Sequence, residues 1–215
     1  SDLYKIIATL YMANKRIDQM EIGFTAYNSG ILAQGFELKL KNNYLNDKNR
    51  PLLLTGTNQT GMVFCSGNEN PLVWDRDLAR MRDTGVNIVR VLHFSPFIMD
   101  PMGKIQVNSQ DLNIKQMPIK IERQLDALVQ LCQKHKVILF LSIHDWINQD
   151  LSDEDLAAQR VFAKLIAERY KNAPGFMIDI QNEPMISIRD KVNPREYPYV
   201  VRDWNEYLKA KYGND

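Results

Sequence analysis

An amide and a carboxylate stand side by side just after a short apolar run in the second half of this chain. Met177, Ile178 and Ile180 form the run, and Asn182 and Glu183 follow it. A Pro-Gly pair precedes the run and a proline comes directly after the glutamate, which is typical of a strand buried on both faces in a parallel sheet. In a barrel of parallel strands, the carboxyl ends of the strands carry the chemistry. Glu183 is therefore the first candidate for a catalytic group.

Polar side chains also mark the ends of three other predicted strands. They are Asn58 after the first strand, Arg90 within the second, His93 just beyond it, and His144 and Trp146 after the third. Each has a plainer explanation: Asn58 could shape a turn, and the two histidines could be hydrogen-bonded residues at strand ends. Function is favoured for His144 and a structural role for His93. Trp146 could belong to the core or form a sugar platform at the rim of a cleft.

Arg90 stands inside the apolar run at 88–92. An unpaired charge in such a run would be very costly, so the arginine must meet a buried carboxylate. The resulting ion pair could serve a site or could be purely structural.

The elements that must position these side chains alternate between strand and helix. The predicted strands are 51–55, 86–92, 137–143 and 177–180, and the predicted helices are 74–83, 119–136, 152–170 and 199–212. This alternation predicts a parallel sheet with helices outside, and no G-x-G-x-x-G pattern supports a nucleotide-binding fold. The predicted fold class is α/β: a (β/α)8 TIM barrel with only the first four β/α units present, because a full barrel takes about 250 residues.

The first part of the chain does not alternate between predicted strands and helices. Residues 6–11, 20–27 and 36–40 are three candidate strands, with turns predicted at 14–15 and 28–30. Three strands are too few to bury a sandwich core. We therefore expect residues 1–47 to be a β-strand segment, either the tail of a β-domain or a layer that caps the barrel. Residues 48–215 would form the N-terminal half of the barrel domain.

Composition and charge limit the kinds of partner that the chain is expected to bind. The formal net charge of +1 gives no reason to expect nucleic acid or an anionic membrane, and no apolar stretch approaches the length of a membrane span. Cys65 and Cys132 are isolated thiols without metal-ligand spacing. A neutral small molecule or polymer suits this composition best, and no cofactor is predicted.

A metal site is the competing use of His144, Asp145 and Glu183. Metal-dependent barrel hydrolases usually carry two histidines after the first strand, where this chain has Asn58 and Gln59. Neither an H-E-x-x-H motif nor clustered cysteines are present. No metal is predicted, although a metal-dependent hydrolase of the same barrel class remains an alternative.

Four strand ends, taken in order, resemble those of a known family. The shared stretches are GTN at 56–58, GVNIVR at 85–90, LSIH at 141–144 and QNEP at 181–184. Over roughly residues 50–213 the chain resembles the N-terminal half of clan A glycoside hydrolases, and within that clan the family 5 cellulase and mannanase group.

This resemblance implies a retaining β-glycoside hydrolase acting on an oligo- or polysaccharide. Glu183 would be the general acid/base, and Asn182 would hydrogen-bond the sugar 2-hydroxyl. Arg90 would pair with the nucleophilic carboxylate and hold it ionised. His144 would support a subsite hydroxyl or the carboxylates, with Trp146 and Asn58 also binding substrate.

The family's nucleophile is a glutamate at the end of the seventh strand, and this chain ends after the fourth helix. We expect a second chain or a C-terminal segment to complete the barrel and supply that group. A catalytically inactive carbohydrate-binding barrel is the alternative. The substrate class favours a secreted or extracytoplasmic location.

Overall fold

The structure is a computed structural model that describes residues 2–59, 70–92, 119–144, 150–182 and 197–213. Its first elements are the antiparallel hairpin β1 (Leu3–Met12) and β2 (Lys15–Thr25), the one-turn helix α1 (Ser29–Leu32), and an antiparallel sheet of β3 (Leu38–Lys41), β4 (Tyr44–Asp47) and β5 (Arg50–Pro51). The turn predicted at 28–30 is wrong. The Asn28 side chain accepts hydrogen bonds from the backbone N–H groups of Gly30 and Ile31, so it caps α1.

The second part alternates between strand and helix. Its elements are β6 (Gly56–Gln59), α2 (Pro71–Asp83), β7 (Ile88–Val91), α3 (Ile119–His135), β8 (Ile138–Ser142), α4 (Asp153–Tyr170), β9 (Phe176–Asp179) and α5 (Pro198–Tyr212). The four strands pair in parallel in the order β6-β7-β8-β9. The predicted α/β class and its parallel sheet are confirmed.

The first strand of this sheet lies later in the chain than the sequence predicts. Residues 51–55 were expected to form it, whereas pairing with β7 begins at Gly56, opposite Ile88. The Asn87 side chain explains the difference: it accepts from the backbone N–H of Thr55 at 2.9 Å and donates to the carbonyl of Leu53 at 2.7 Å. These bonds hold residues 53–55 beside the sheet as an irregular segment, and Leu53 is 85% exposed.

The core lies between the parallel sheet and helices α2, α3 and α4. It contains Trp74 and Leu78 from α2, Leu125, Leu128 and Cys132 from α3, Val89 and Val91 from β7, Leu139 and Leu141 from β8, and Phe162 and Ile166 from α4. Each large side chain buried here contributes about 1.5–3 kcal/mol. No helix within the described ranges has both the length and the apolar character needed to cross a membrane.

Two buried or capping side chains attach the N-terminal segment to the helices. Asn70 caps α2 by accepting from the Leu72 N–H at 3.1 Å, and the same oxygen accepts from the Gly23 N–H of β2 at 2.8 Å. The Gln130 side chain of α3 accepts from the Asn28 N–H and donates to the carbonyl of Ala26. The first strands therefore pack against the α/β unit in this structure.

Candidate active site

Arg90 lies at the centre of a polar network at the carboxyl ends of the strands. Its Nε donates to Oδ2 of Asp179 at 3.1 Å, and its Nη2 donates both to that oxygen and to the side-chain oxygen of Asn182, the latter at 2.9 Å. Charge-assisted bonds of this kind are roughly twice as strong as neutral ones. The carboxylate that Arg90 was expected to contact is therefore that of Asp179, in the same chain.

The strand register explains how Arg90 reaches these partners. Arg90 lies opposite Phe140 in β8, and Asp179 lies one strand further, opposite Ser142. The guanidinium sits 5.7 Å from the centre of the Phe140 ring, within range of a cation–π contact. Arg90 therefore extends over β8 to reach the end of β9.

The ion pair is largely shielded from solvent. The Arg90 side chain is 24% exposed and that of Asp179 is 17% exposed. Shielding strengthens the attraction between the charges, although desolvation offsets part of that gain. The arrangement fixes one guanidinium from β7 close to one carboxylate and one amide at the end of β9.

Asp179 is the member of this network that the sequence reasoning missed. It stands between Ile178 and Ile180 in the last predicted strand. A signal was available, because a charged residue inside an apolar run must find a partner, as was argued for Arg90. The charged residues of two apolar strands, Arg90 in β7 and Asp179 in β9, are each other's partners across β8.

His144 lies two residues beyond the end of β8 and is 2% exposed. Its ring packs in a tilted arrangement against Phe162 of α4, with 5.9 Å between the ring centres. The histidine is thus held at the same end of the sheet as the Arg90 network.

The other predicted site residues divide into two groups. Asn58 lies within β6 opposite Arg90, and so belongs to a strand rather than to the loop in which it was expected. Glu183, Trp146, Asp145 and His93 lie outside the described residues. Their roles stay predictions.

A second cluster of charged side chains links helices α2 and α3. Asp75 of α2 accepts from Lys134 at 2.7 Å and lies 2.6 Å from Nε2 of His135, whose other ring nitrogen is 3.3 Å from Arg82. Burial raises the pKa of the Asp75 carboxyl, but the hydrogen bonds and charges of Lys134 and His135 outweigh it and lower the pKa overall. His135 is the last residue of α3, and its two ring nitrogens contact Asp75 and Arg82 of α2.

A bound metal ion needs a group of ligating side chains such as His, Cys, Asp and Glu. Within the part of the chain that the structure describes, no three such side chains are grouped closely enough to hold an ion. Of the three residues considered for a metal site, only His144 belongs to that part.

Comparison with known proteins adds an independent line of evidence. A family model described as Cellulase (glycosyl hydrolase family 5) matches residues 45–211. No curated protein sequence matches the chain. Among solved structures, it is similar to a glycoside hydrolase family 5 protein from Bacteroides vulgatus, at 17% identity and a TM-score of 0.50, with 81% of this chain and 37% of that chain covered.

Two other solved structures give lower TM-scores. A β-glucuronidase from Parabacteroides merdae is 17% identical with a TM-score of 0.46, covering 97% of this chain and 22% of that chain. An endocellulase from Pyrococcus horikoshii is 14% identical with a TM-score of 0.46, covering 82% of this chain and 55% of that chain. The chain thus spans less than two thirds of each of the three structures.

Proposed function

This chain belongs to the cellulase family, glycosyl hydrolase family 5, and we propose that it forms part of a retaining β-glycoside hydrolase acting on an oligo- or polysaccharide. The observation that carries the proposal is the bond from Arg90 to Asn182. It fixes an amide at the strand end, next in sequence to Glu183.

In the proposed mechanism Glu183 is the general acid/base. It protonates the glycosidic oxygen as the bond breaks and later removes a proton from the attacking water. A retaining mechanism also needs a nucleophilic carboxylate about 5 Å away. That nucleophile lies outside this chain.

Asn182 hydrogen-bonds the sugar 2-hydroxyl, a bond that strengthens as the transition state gains oxocarbenium character. His144, Trp146 and Asn58 contact other parts of the substrate. The place of His144 just after the end of β8, at the same end of the sheet as the Arg90 network, supports this assignment.

Arg90 holds the nucleophile ionised in this proposal. A guanidinium has five N–H donors, and the bonds to Asp179 and Asn182 use Nε and Nη2. Among the described residues, Nη1 has no hydrogen-bond partner. In this proposal the two N–H groups of Nη1 bind the carboxylate of the nucleophile.

A second chain or a C-terminal segment completes the barrel and brings the nucleophile. Exposed apolar side chains support this, because Ile180, which follows β9, is 70% exposed and Trp204 of α5 is 58% exposed. Within the described ranges, the outer strands β6 and β9 each pair with one neighbour, and open sheet edges invite further pairing. The polysaccharide substrate favours a secreted or extracytoplasmic location.

The test compares Glu183→Gln with Glu206→Gln, which changes an exposed glutamate of α5. Intact mass under denaturing conditions first identifies any completing polypeptide. With that assembly, we expect Glu183→Gln to lose at least about 100-fold in hydrolysis of 4-nitrophenyl β-cellobioside, as removal of a general acid/base predicts, and Glu206→Gln to lose nothing. Azide should restore turnover of the first variant and yield a β-glycosyl azide. Unchanged hydrolysis by Glu183→Gln would overturn the assignment, and sugar binding without turnover would indicate the inactive carbohydrate-binding barrel.

A further inference from the structure

Asp179 is a charged residue at the end of a strand that is otherwise apolar. Its carboxylate receives two hydrogen bonds from Arg90, which is 89 positions away in the sequence. Partly buried ion pairs give little net stability, because desolvation offsets the attraction. Stability alone therefore accounts poorly for this pair.

The third hydrogen bond of Arg90, to Asn182, determines how the Asn182 side chain is oriented. A guanidinium has donors only, so the Asn182 atom that faces Arg90 must be the side-chain oxygen, as the structure has it. The amide nitrogen of Asn182 must then face away from Arg90. The position of the guanidinium thus decides which end of the asparagine side chain can meet a ligand.

We propose that Asp179 is a positioning residue that acts through Arg90. Its carboxylate fixes the orientation of the planar guanidinium through Nε and Nη2, and that orientation aims the second Nη2 hydrogen at Asn182. The amide nitrogen of Asn182 is thereby presented as a donor to a sugar hydroxyl. This inference rests on the proposed function, which it deepens by assigning the orientation of Asn182 to Asp179.

Replacement of Asp179 separates a positioning role from a structural one. Asp179→Asn keeps the side-chain volume and one acceptor oxygen but removes the charge, so the two bonds that both go to Oδ2 and hold Arg90 are weakened. Asp179→Glu keeps the charge and both oxygens. Asp75→Asn is the matched control, because Asp75 also pairs with cations but lies between the outer helices.

The first readout is hydrolysis of 4-nitrophenyl β-cellobioside by the complete assembly. We expect Asp179→Asn to lower kcat by about 100-fold, as a displacement of about 1 Å at a site can, while KM changes less than about threefold. Asp179→Glu should recover part of the loss, and Asp75→Asn should leave kcat unchanged. In an Arg90→Lys background, Asp179→Asn should have no further effect. Equal losses in Asp179→Asn and Asp75→Asn, or additive losses with Arg90→Lys, would overturn the proposal.

The second readout does not require activity. In ¹H–¹⁵N spectra of the full chain, the side-chain amide signals of Asn182 should shift in Asp179→Asn and in Arg90→Lys but not in Asp75→Asn. Unmoved Asn182 signals in Asp179→Asn would rule out the positioning role. If those signals respond while the wild-type assembly cleaves no glycoside, the positioning role stands and the proposed function fails.

Discussion

Arg90 and Asn182, 92 positions apart in the sequence, are joined by a hydrogen bond of 2.9 Å from Nη2 of the arginine to the side-chain oxygen of the asparagine. Strand β8 lies between β7 and β9, so the arginine side chain must extend over it to make this contact. The Phe140 ring supports the guanidinium on the way. The planar fork of arginine suits this position, and a lysine would lose the geometry of the fork.

Replacement of Arg90 by methionine should destabilise the protein. The change keeps much of the apolar stem but leaves Asp179 without its cation, which for a buried pair costs about 3–5 kcal/mol. Because both partners are partly exposed, we expect about 3 kcal/mol, measured by urea unfolding. Arg76→Met is the control, since the Arg76–Asp77 pair is exposed and such pairs contribute about 0–1 kcal/mol. Equal losses in the two variants would contradict this prediction.

Asp126 should be essential for the contact between α3 and the end of α4. This buried carboxylate accepts from Arg169 at 2.8 and 2.6 Å and from the Tyr170 hydroxyl at 2.7 Å. Burial, and after it the charge of Asp126, raises the pKa of Tyr170, so the hydroxyl remains a donor. We expect Asp126→Ala to lower the free energy of unfolding by about 3–5 kcal/mol.

The control for Asp126 is Glu168→Ala, which removes an exposed pair with Lys164 on the surface of α4. Exposed pairs of this spacing contribute about 0.3–0.5 kcal/mol. Thermal or urea unfolding gives the free energy of unfolding of both variants. Values within about 1 kcal/mol of each other, roughly the scatter of single surface changes, would contradict the assignment of Asp126 as a structural centre.

The stability contributed by Asp75 should depend on acid pH. Its folded-state pKa is lowered, so its contribution is present above the unfolded-state pKa of about 3.9 and is lost as the pH falls through the folded value. Asp75→Asn should therefore be less stable than the wild type at pH 7, and this difference should shrink below about pH 4. Urea unfolding at both pH values measures it. A difference that stayed constant or grew in acid would contradict the direction of the shift.

Asn70 should stabilise both α2 and the attachment of β2. Asn70→Ala removes the cap and the bond to Gly23, and we expect a loss of about 1–2 kcal/mol in the free energy of unfolding. Asn70→Asp keeps the accepting oxygen and adds a charge that favours a helix N-terminus, while losing only the bond to the Glu21 carbonyl. It should retain most of the stability. Limited proteolysis of the hairpin should be faster in the alanine variant alone.

Local features of this fold were predictable from the sequence. The helix predicted at 119–136 is α3, and its apolar residues Leu125, Leu128 and Cys132, three or four positions apart, are all buried. The helix predicted at 152–170 is α4, and Ser152 makes a capping box with Asp155 at its start. Both depend on residues three or four positions apart, whose interactions a helix determines by itself.

The boundary of β6 was not predictable in this way. Residues 51–55 are apolar enough for a strand, yet the Asn87 side chain binds their backbone groups and pairing begins only at Gly56. An added Cβ at Gly56 would lie 2.4 Å from Cγ2 of Ile88, so the close pairing there needs glycine. The start of β6 is therefore determined by its pairing with β7, which is distant in the sequence.

The sequence by itself determined the order of strands and helices, the polar residues at the strand ends and the membership of glycosyl hydrolase family 5. It also required that Arg90 meet a carboxylate, because a charge inside an apolar strand must be compensated. Only the tertiary structure decided that this carboxylate is Asp179 and that the same arginine donates a hydrogen bond to Asn182. Such pairs depend on the register of three parallel strands, which local sequence patterns do not determine.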